Sequence, residues 1–247
     1  MRDKVKKCRI DDLLVERGLA PTIDKARAII MAGSVLVDDS PVTKAGEHVG
    51  HDVNIRIKGQ EHPYVGRGGM KLAGAIDHFK VDLNEKICMD VGASTGGFTD
   101  CLLQKGAKKV YAIDVGYGQL AMKLQRDSRA ISIERTNIRN IDHSLIEEPI
   151  DIVVIDVSFI SLNLIFPAIA DFMAKGAFVI ALIKPQFEVE RDDVGDGGIV
   201  SDPVLHKWAI QKIEKAAKLL GWNVLGVIES PIKGAKGNVE FLAFFEN

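Results

Sequence analysis

Cysteine is scarce in this sequence. Its 247 residues include three, Cys8, Cys88 and Cys101, and no C-x-x-C spacing. That argues against a zinc site or a disulfide framework, and it fits a reducing cytoplasm. No metal is expected. Long apolar runs are missing as well: none approaches the roughly 20 residues that span a bilayer. A membrane is therefore not an expected partner. The N-terminus is basic, but Asp11, Asp12, Glu16 and Arg17 interrupt any signal-peptide core, so export by a standard route is not expected. Nor is there an excess of one charge: 32 Lys and Arg stand against 34 Asp and Glu, a net charge of −2. Any nucleic-acid contact must rest on local patches rather than a global field. What is present, 47% hydrophobic and 27% charged residues, is ordinary for a globular protein. The length suits one large α/β domain, alone or with a small appendage.

The most informative stretch is Lys86-Ile87-Cys88-Met89-Asp90-Val91-Gly92-Ala93-Ser94-Thr95-Gly96-Gly97-Phe98-Thr99-Asp100. An apolar strand runs into a glycine-rich turn and then a helix, the first unit of a nucleotide-binding α/β domain. Aligned on Gly92 and Gly97, the middle glycine of G-x-G-x-x-G falls on Ser94. That glycine admits a pyrophosphate, so a dinucleotide fits poorly. An adenosine without pyrophosphate fits better, and S-adenosylmethionine is the expected cofactor. Gly92, Ala93, Ser94, Thr95, Gly96, Gly97 and Phe98 would cradle it. Asp90 would meet its ammonium group. Asp114 ends the next strand, at the distance where an acid binds ribose hydroxyls. Asn137 would reach the adenine edge, and Val115 and Asp156 complete the candidate set.

Along the chain, Ile10 to Arg17 reads as a short amphipathic helix stopped by Gly18. A second helix starts at the N-cap Thr22 and ends at Gly33. Val35-Leu36-Val37 and Val53 to Ile57 read as strands, with Asp38-Asp39-Ser40-Pro41 a turn. Residues 1–58 thus form a small α+β module. It carries Arg2, Lys4, Lys6, Lys7, Arg9, Arg17, Lys25 and Arg27, and no aromatic stacking platform. Residues 59–66 read as a linker. Residues 67–247 form the α/β domain. A helix opens at Arg67, and Lys71 lies near its start, where the helix dipole disfavours a cation. Strands end at Asp90, Asp114, Asp156 and Lys184. Helices are expected from Gln119 to about Asp127, from about Leu162 to Ala174 and from about Pro203 to Leu220. Asp151 to Asp156, apolar on both faces, should be the centre of the sheet. Pro185 keeps Lys184 extended. Strands Asn223 to Glu229 and Val239 to Phe245 close the chain. The result is a mostly parallel, Rossmann-like methyltransferase sheet with an antiparallel edge strand. Ligands in such folds bind at the carboxyl ends of the strands.

The chemistry narrows by residue type. Base-amino methyltransferases carry Asn/Asp-Pro-Pro-aromatic after the fourth strand, whereas this chain has Asp156-Val157-Ser158-Phe159. Attack on a pyrimidine carbon needs a cysteine, and Cys88 and Cys101 fall inside a strand and a helix. Transfer to oxygen remains, which requires a held alcohol and an acceptor for its proton.

Two resemblances sharpen this. Arg9-Ile10-Asp11, Leu14, Arg17-Gly18, Ala26-Arg27, Ile30, Gly33-Ser34-Val35 and Val37 resemble the RNA-binding domain named after the fourth small-subunit ribosomal protein. The resemblance implies that Arg9, Arg17, Lys25 and Arg27 face RNA phosphates. Asp39-Ser40 stands where that family often has Asn-Gly. Six further motifs resemble the TlyA family: Gly68-Gly69-Met70-Lys71-Leu72, Asp90 to Thr99, Asp114 to Leu120, Asp156-Val157-Ser158-Phe159-Ile160-Ser161, Lys184-Pro185-Gln186-Phe187-Glu188 and Gly237-Asn238-Val239-Glu240. The catalytic domain is similar to the FtsJ type. The resemblance implies a Lys-Asp-Lys-Glu tetrad on Lys71, Asp156, Lys184 and Glu240. It also implies a cytidine ribose 2′-hydroxyl in ribosomal RNA or ribosomal subunits as target. Where some members carry Arg-x-Trp-Val, this chain has His62-Pro63-Tyr64-Val65. Two other classes stay open, a membrane-active haemolysin and a non-catalytic RNA-binding factor in ribosome assembly.

Overall fold

The computed structural model describes residues 7–38, 40–57, 62–234 and 236–247. The basic residues Arg2, Lys4 and Lys6, Asp39 of the expected turn, Lys58 at the end of the expected module and residues 59–61 of the expected linker lie outside them. The chain divides into two compact units, residues 1–62 and 63–247.

In the first unit, β1 (Lys7–Arg9) leads into α1 (Ile10–Glu16), and α2 (Ile23–Met31) follows. The Thr22 hydroxyl accepts from Lys25 N at 3.3 Å and caps α2, as its sequence position suggests. Gly33, at φ +68°, turns the chain out of α2. Then come β2 (Val35–Val37), β3 (Ser40–Val42), β4 (His48–Gly50) and β5 (Ile55–Ile57). The sheets have the orders β3-β2-β5 and β1-β4. Ser40 and Pro41, expected in a turn, belong to strand β3. The hairpin is tighter than the sequence suggests because Asp38 adopts φ +46°. Pro41 is tolerated there because β3 is an edge strand, where a missing N–H disrupts no central ladder. Ile10, Leu13, Leu14, Ala26, Ile30 and Val35 are fully buried and form the core of this unit.

The second unit is built on a seven-stranded sheet. Its strands are β6 (Ile87–Val91), β7 (Lys109–Ile113), β8 (Ala130–Ile133), β9 (Ile150–Ile155), β10 (Met173–Ile183), β11 (Asn223–Glu229) and β12 (Phe241–Glu246). The order is β11-β12-β10-β9-β6-β7-β8, with β9 fourth of seven, at the centre. Alternation explains the layering. Val153 and Ile155 point into one core and Ile152 and Val154 into the other. The helices α3 (Gly68–Phe79) and α4 (Gly97–Gln104) cover the second face with Leu72, Ala75, Ile76, Phe98 and Leu102. The helices α6 (Phe166–Ala170) and α7 (Pro203–Leu219) cover the first with Phe166, Ile169, Ala209 and Ile213. The strand that runs against its neighbours, β12, lies one place in from the edge, with β11 outside it.

Three differences from the sequence reading have local causes. The helix expected over 162–174 is a 3-10 turn, Leu162–Leu164, followed by the short α6. Ile150 N takes Phe172 O at 2.9 Å, so pairing with β9 captures the chain early. The helix expected up to Asp127 shrinks to α5 (Met122–Gln125), because Gly118 at φ +65° breaks the approach to it. Residues 63–66, expected in the linker, pack within the second unit. Val65 N donates to Asp100 Oδ2 at 2.8 Å, and the Tyr64 ring lies where a Cβ on Gly69 would stand, 2.4 Å away.

Candidate active site

Strand register gathers the implied tetrad at one end of the sheet. Ile183 pairs with Phe241, so Lys184 and Glu240 emerge side by side where β10 and β12 meet. Lys184 is extended, at φ −111° and ψ 100°, as the following proline requires. Asp156 follows β9, its N–H bonded to Val91 O at 2.9 Å. Lys71 arrives from the first turns of α3 and is 8% exposed. Two ion pairs result. Lys71 Nζ lies 2.5 Å from Glu240 Oε2, and Lys184 Nζ lies 2.6 Å from Asp156 Oδ1. The second is an ion pair in which Asp156 Oδ1 takes no hydrogen bond. Lys184 Nζ does donate to Ser158 Oγ, at 3.0 Å. A Cβ on Gly234 would stand 2.4 Å from Glu240 Oε1, so that glycine lets the carboxylate settle beside Lys71.

Three cavities adjoin along this end and share Asp156 and Ser158. One, about 370 Å³, holds all four members of the tetrad together with Phe159, Gln186, Phe187 and Asn238. One, about 230 Å³, follows the glycine turn through Gly92, Ala93, Ser94, Thr95, Gly97 and Phe98. The third, about 520 Å³, is largely apolar, lined by Ile113, Val115, Ile138 and Ile160, with Asp114 and Asn137 as polar points. Asp114 Oδ2 accepts from Ser94 N and Oδ1 from Gly116 N, both at 2.7 Å, which fixes the turn. Ser94 itself is at φ +49°.

Two of the expected cofactor residues line none of these cavities. Gly96 faces inward: a Cβ there would stand 2.2 Å from Leu124 Cδ1, so the glycine serves core packing beneath the turn. Asp90 is fully buried and accepts from Thr99 Oγ1 at 2.6 Å. Burial pushes its carboxyl up to about 7, partly offset by the Thr99 hydrogen bond. Asp90 therefore fastens β6 to α4 beneath the pocket floor.

Comparison with known proteins accords with this geometry. Residues 64–247 match the family model of the FtsJ-like methyltransferases, and residues 8–55 match the S4 domain. A Mycobacterium tuberculosis relative named 16S/23S rRNA (cytidine-2'-O)-methyltransferase TlyA is 42% identical over 96% of this chain and 88% of its own. The chain belongs to the TlyA family. Hemolysin A of Brachyspira hyodysenteriae is 43% identical over 96% of this chain and 99% of its own. A solved Streptococcus thermophilus protein named after hemolysins has a TM-score of 0.76 at 42% identity, covering 99% of this chain and 90% of that one.

The S4 domain of this TlyA member arranges its cations unevenly. Arg9 and Arg27 both clasp the buried Asp11, at 2.7 and 3.1 Å. Asp11 is held down to about 2, first by the Arg9 hydrogen bond, with Arg27 adding to it. Both arginine side chains are about half exposed, at 41% and 47%. Arg17 is exposed and binds Val53 O at 2.8 Å and His51 O. Lys25 is exposed on α2.

Several site residues carried no assigned role in the sequence reading. Phe159 is 90% exposed at φ +65°, a rare conformation for an aromatic residue, and its ring lies 5.0 Å from that of Phe187. Glu188, 2% exposed, accepts from Leu162 N at 2.9 Å and from Ser161 Oγ. It thereby ties the loop after β9 to the loop after β10. Asn238 ties the loop at residues 195–200 to the segment before β12. All lie inside TlyA motifs, where the signal was present but the contact was not readable.

Proposed function

We propose that this protein transfers the methyl group of S-adenosylmethionine to the ribose 2′-oxygen of a cytidine in ribosomal RNA. One observation carries the reading: two lysine–carboxylate pairs, Lys71–Glu240 and Lys184–Asp156, open into one cavity beside the glycine turn. The name of the Mycobacterium tuberculosis relative supports the substrate.

The residues suit the cofactor. The largely apolar 520 Å³ cavity fits an adenine, with Asn137 for its edge and Asp114 for ribose hydroxyls. The turn at Gly92 to Phe98 closes on Asp156 so tightly that a Cβ on Gly92 would stand 2.6 Å from Asp156 O. The cofactor supplies a methyl group already activated by its sulfonium. Lys184 Nζ, steadied by Asp156 and Ser158, orients the 2′-hydroxyl and handles its proton. Glu240 holds Lys71 in the same cavity. Asp114→Ala should weaken S-adenosylmethionine binding about 10- to 100-fold, because it removes the ribose acceptor and frees two turn amides. Calorimetry would read this, and affinity within twofold of wild type would exclude Asp114 from the cofactor site.

The S4 domain supports docking on RNA through phosphates. Binding should then fall steeply with salt. Arg17→Ala and Lys25→Ala should each lower affinity for all sequences alike and reduce the salt slope by about 1. Arg9→Ala and Arg27→Ala are poorer probes, since each also strips a partner from Asp11. A filter-binding titration with an unchanged slope in both variants would remove the S4 cations from RNA docking.

The activity itself is tested by incubating the protein with S-adenosylmethionine and undermethylated ribosomal subunits, then mapping 2′-O-methylation. A new mark on a cytidine ribose is expected. A mark on a base, or none on either subunit, would refute the reading. The name of the Brachyspira relative raises a membrane-active alternative. Among the described residues no helix is long and apolar enough to cross a membrane. Cofactor binding by calorimetry separates the two.

A further inference from the structure

We propose that Arg67, Lys233 and Lys236 form a cationic rim beside the tetrad, which holds backbone phosphates of the RNA strand on either side of the target nucleotide. The inference rests on the ribose-methylation reading above and adds a second RNA surface, on the catalytic unit itself.

In the loop between β11 and β12, residues 230–239 hold two lysines and no acid. The loop is a closed turn. Gly237 N donates to Gly234 O and Gly234 N to Asn238 O, both at 2.9 Å. Lys236 lines the tetrad cavity. A Cβ on Gly198, another lining residue, would stand 3.7 Å from Lys236 Nζ, which puts the amine at the cavity wall. Arg67 lines the cavity of the glycine turn, and its Nη2 donates to Lys233 O at 3.4 Å. The start of α3 and the lysine loop therefore meet at this end of the sheet.

The three residues are exposed. Among the described residues, neither lysine side chain has a hydrogen bond or an ion pair, and that of Arg67 has only its long bond to a carbonyl. The tetrad offers them no counter-charge, because its carboxylates already hold Lys71 and Lys184. Asp192, Asp193 and Asp196 stand on the loop that carries Val194 and Gly198, yet none of them lines the cavity or pairs with Lys236. Cations gathered without counter-charge repel one another until an anion joins them.

The target strand supplies such anions where they are needed. A ribose whose 2′-hydroxyl lies at Lys184 carries one phosphate on the neighbouring 3′ carbon and another through its 5′ carbon. Lys184 lines both cavities, Lys236 the one and Arg67 the other. A strand that passes Lys184 thus brings a phosphate toward each. Guanidinium meets phosphate as a planar fork and ammonium as a point charge. Contacts of this kind fix the position of a strand without reading its bases.

The experiment uses the full chain and undermethylated ribosomal subunits in filter-binding titrations at several salt concentrations. Arg67→Ala, Lys233→Ala and Lys236→Ala should each reduce the slope of log affinity against log salt by about 1, and the triple variant by about 2 to 3. Lys236→Arg keeps the charge and should keep the slope. Lys218→Ala removes the same charge from the last turn of α7, which leads to Asn223 at the far end of β12 from Phe241. It should leave the slope unchanged. S-adenosylmethionine affinity, measured by calorimetry, should stay within about twofold of wild type in every variant, which controls for the fold. A triple variant with the wild-type slope would overturn the proposal. An equal reduction in Lys218→Ala would mean that any surface cation counts, and would overturn it too. A fall in cofactor affinity in Arg67→Ala would give that guanidinium to the cofactor and break the rim. The activity reading fails separately, when wild type marks no ribose, because the slopes are measured without turnover.

Discussion

Lys184→Arg should leave cofactor and RNA affinity near wild type and lower single-turnover methyl transfer about 10²- to 10⁴-fold, the range of proton-handling groups. Lys184 ends a central strand, is held extended by Pro185 and projects between Asp156 and Ser158, at 2.6 and 3.0 Å. Both contacts suit a compact ammonium with rotatable donors. Arginine keeps the positive charge, so attraction for RNA phosphate and for Asp156 persists. Its guanidinium stays protonated and is a planar fork, so it replaces neither the amine nor the compact shape of lysine. Binding and chemistry therefore separate in this variant. Single-turnover rates on subunits within a few-fold of wild type would show that the proton leaves by another route.

Much of this site was legible because its residues sit where backbone rules are strict. The proline after Lys184 dictates an extended conformation. The spacing that suggests a ribose-binding acid does put Asp114 on the largely apolar cavity, while its contact with Ser94 N is one that the spacing does not give. The run at 150–155 is apolar at every position but one and lies at the sheet centre. What stayed hidden was direction. Gly96 and Gly97 look alike in a motif, yet Gly97 lines the cavity and Gly96 backs onto Leu120 and Leu124. A pattern of glycines gives the turn but not the side on which each missing Cβ would have stood. Asp90 was hidden for the same reason, since a strand residue's face depends on register at the strand's very end. Arg9 and Arg27 are a matter of long-range pairing. They stand 18 residues apart in sequence and meet on Asp11 only after α1 and α2 pack. Phe159 shows a further limit, because no propensity argument puts an aromatic residue at positive φ. Its conformation belongs to the loop between Asp156 and Ser161, which Glu188 anchors from the loop after β10.

Breaking the Lys71–Glu240 pair should cost far more stability than removing both partners. Lys71 is 8% exposed and Glu240 3%, with Nζ and Oε2 2.5 Å apart. Taking one charge away strands the other in a site poor in solvent, which typically costs about 3–5 kcal/mol. Replacing both with apolar residues of similar volume is often neutral or stabilising. Lys71→Met and Glu240→Leu should therefore each destabilise the second unit markedly. The double variant should recover most of the loss. Both tryptophans, Trp208 and Trp222, lie in this unit, and Trp222 is buried in its core. Tryptophan fluorescence during urea unfolding thus reports on this unit without the S4 domain. Activity should follow a different pattern: absent in both single variants and absent in the double, although the double folds. Stability regained without turnover would mean that the pair is kept for chemistry rather than for the fold. A double variant as unstable as either single would show that the cost lies in lost packing around α3 and β12. A Lys71→Met variant that still methylates subunits at a wild-type rate would take Lys71 out of the reaction and leave it as the partner that keeps Glu240 in place.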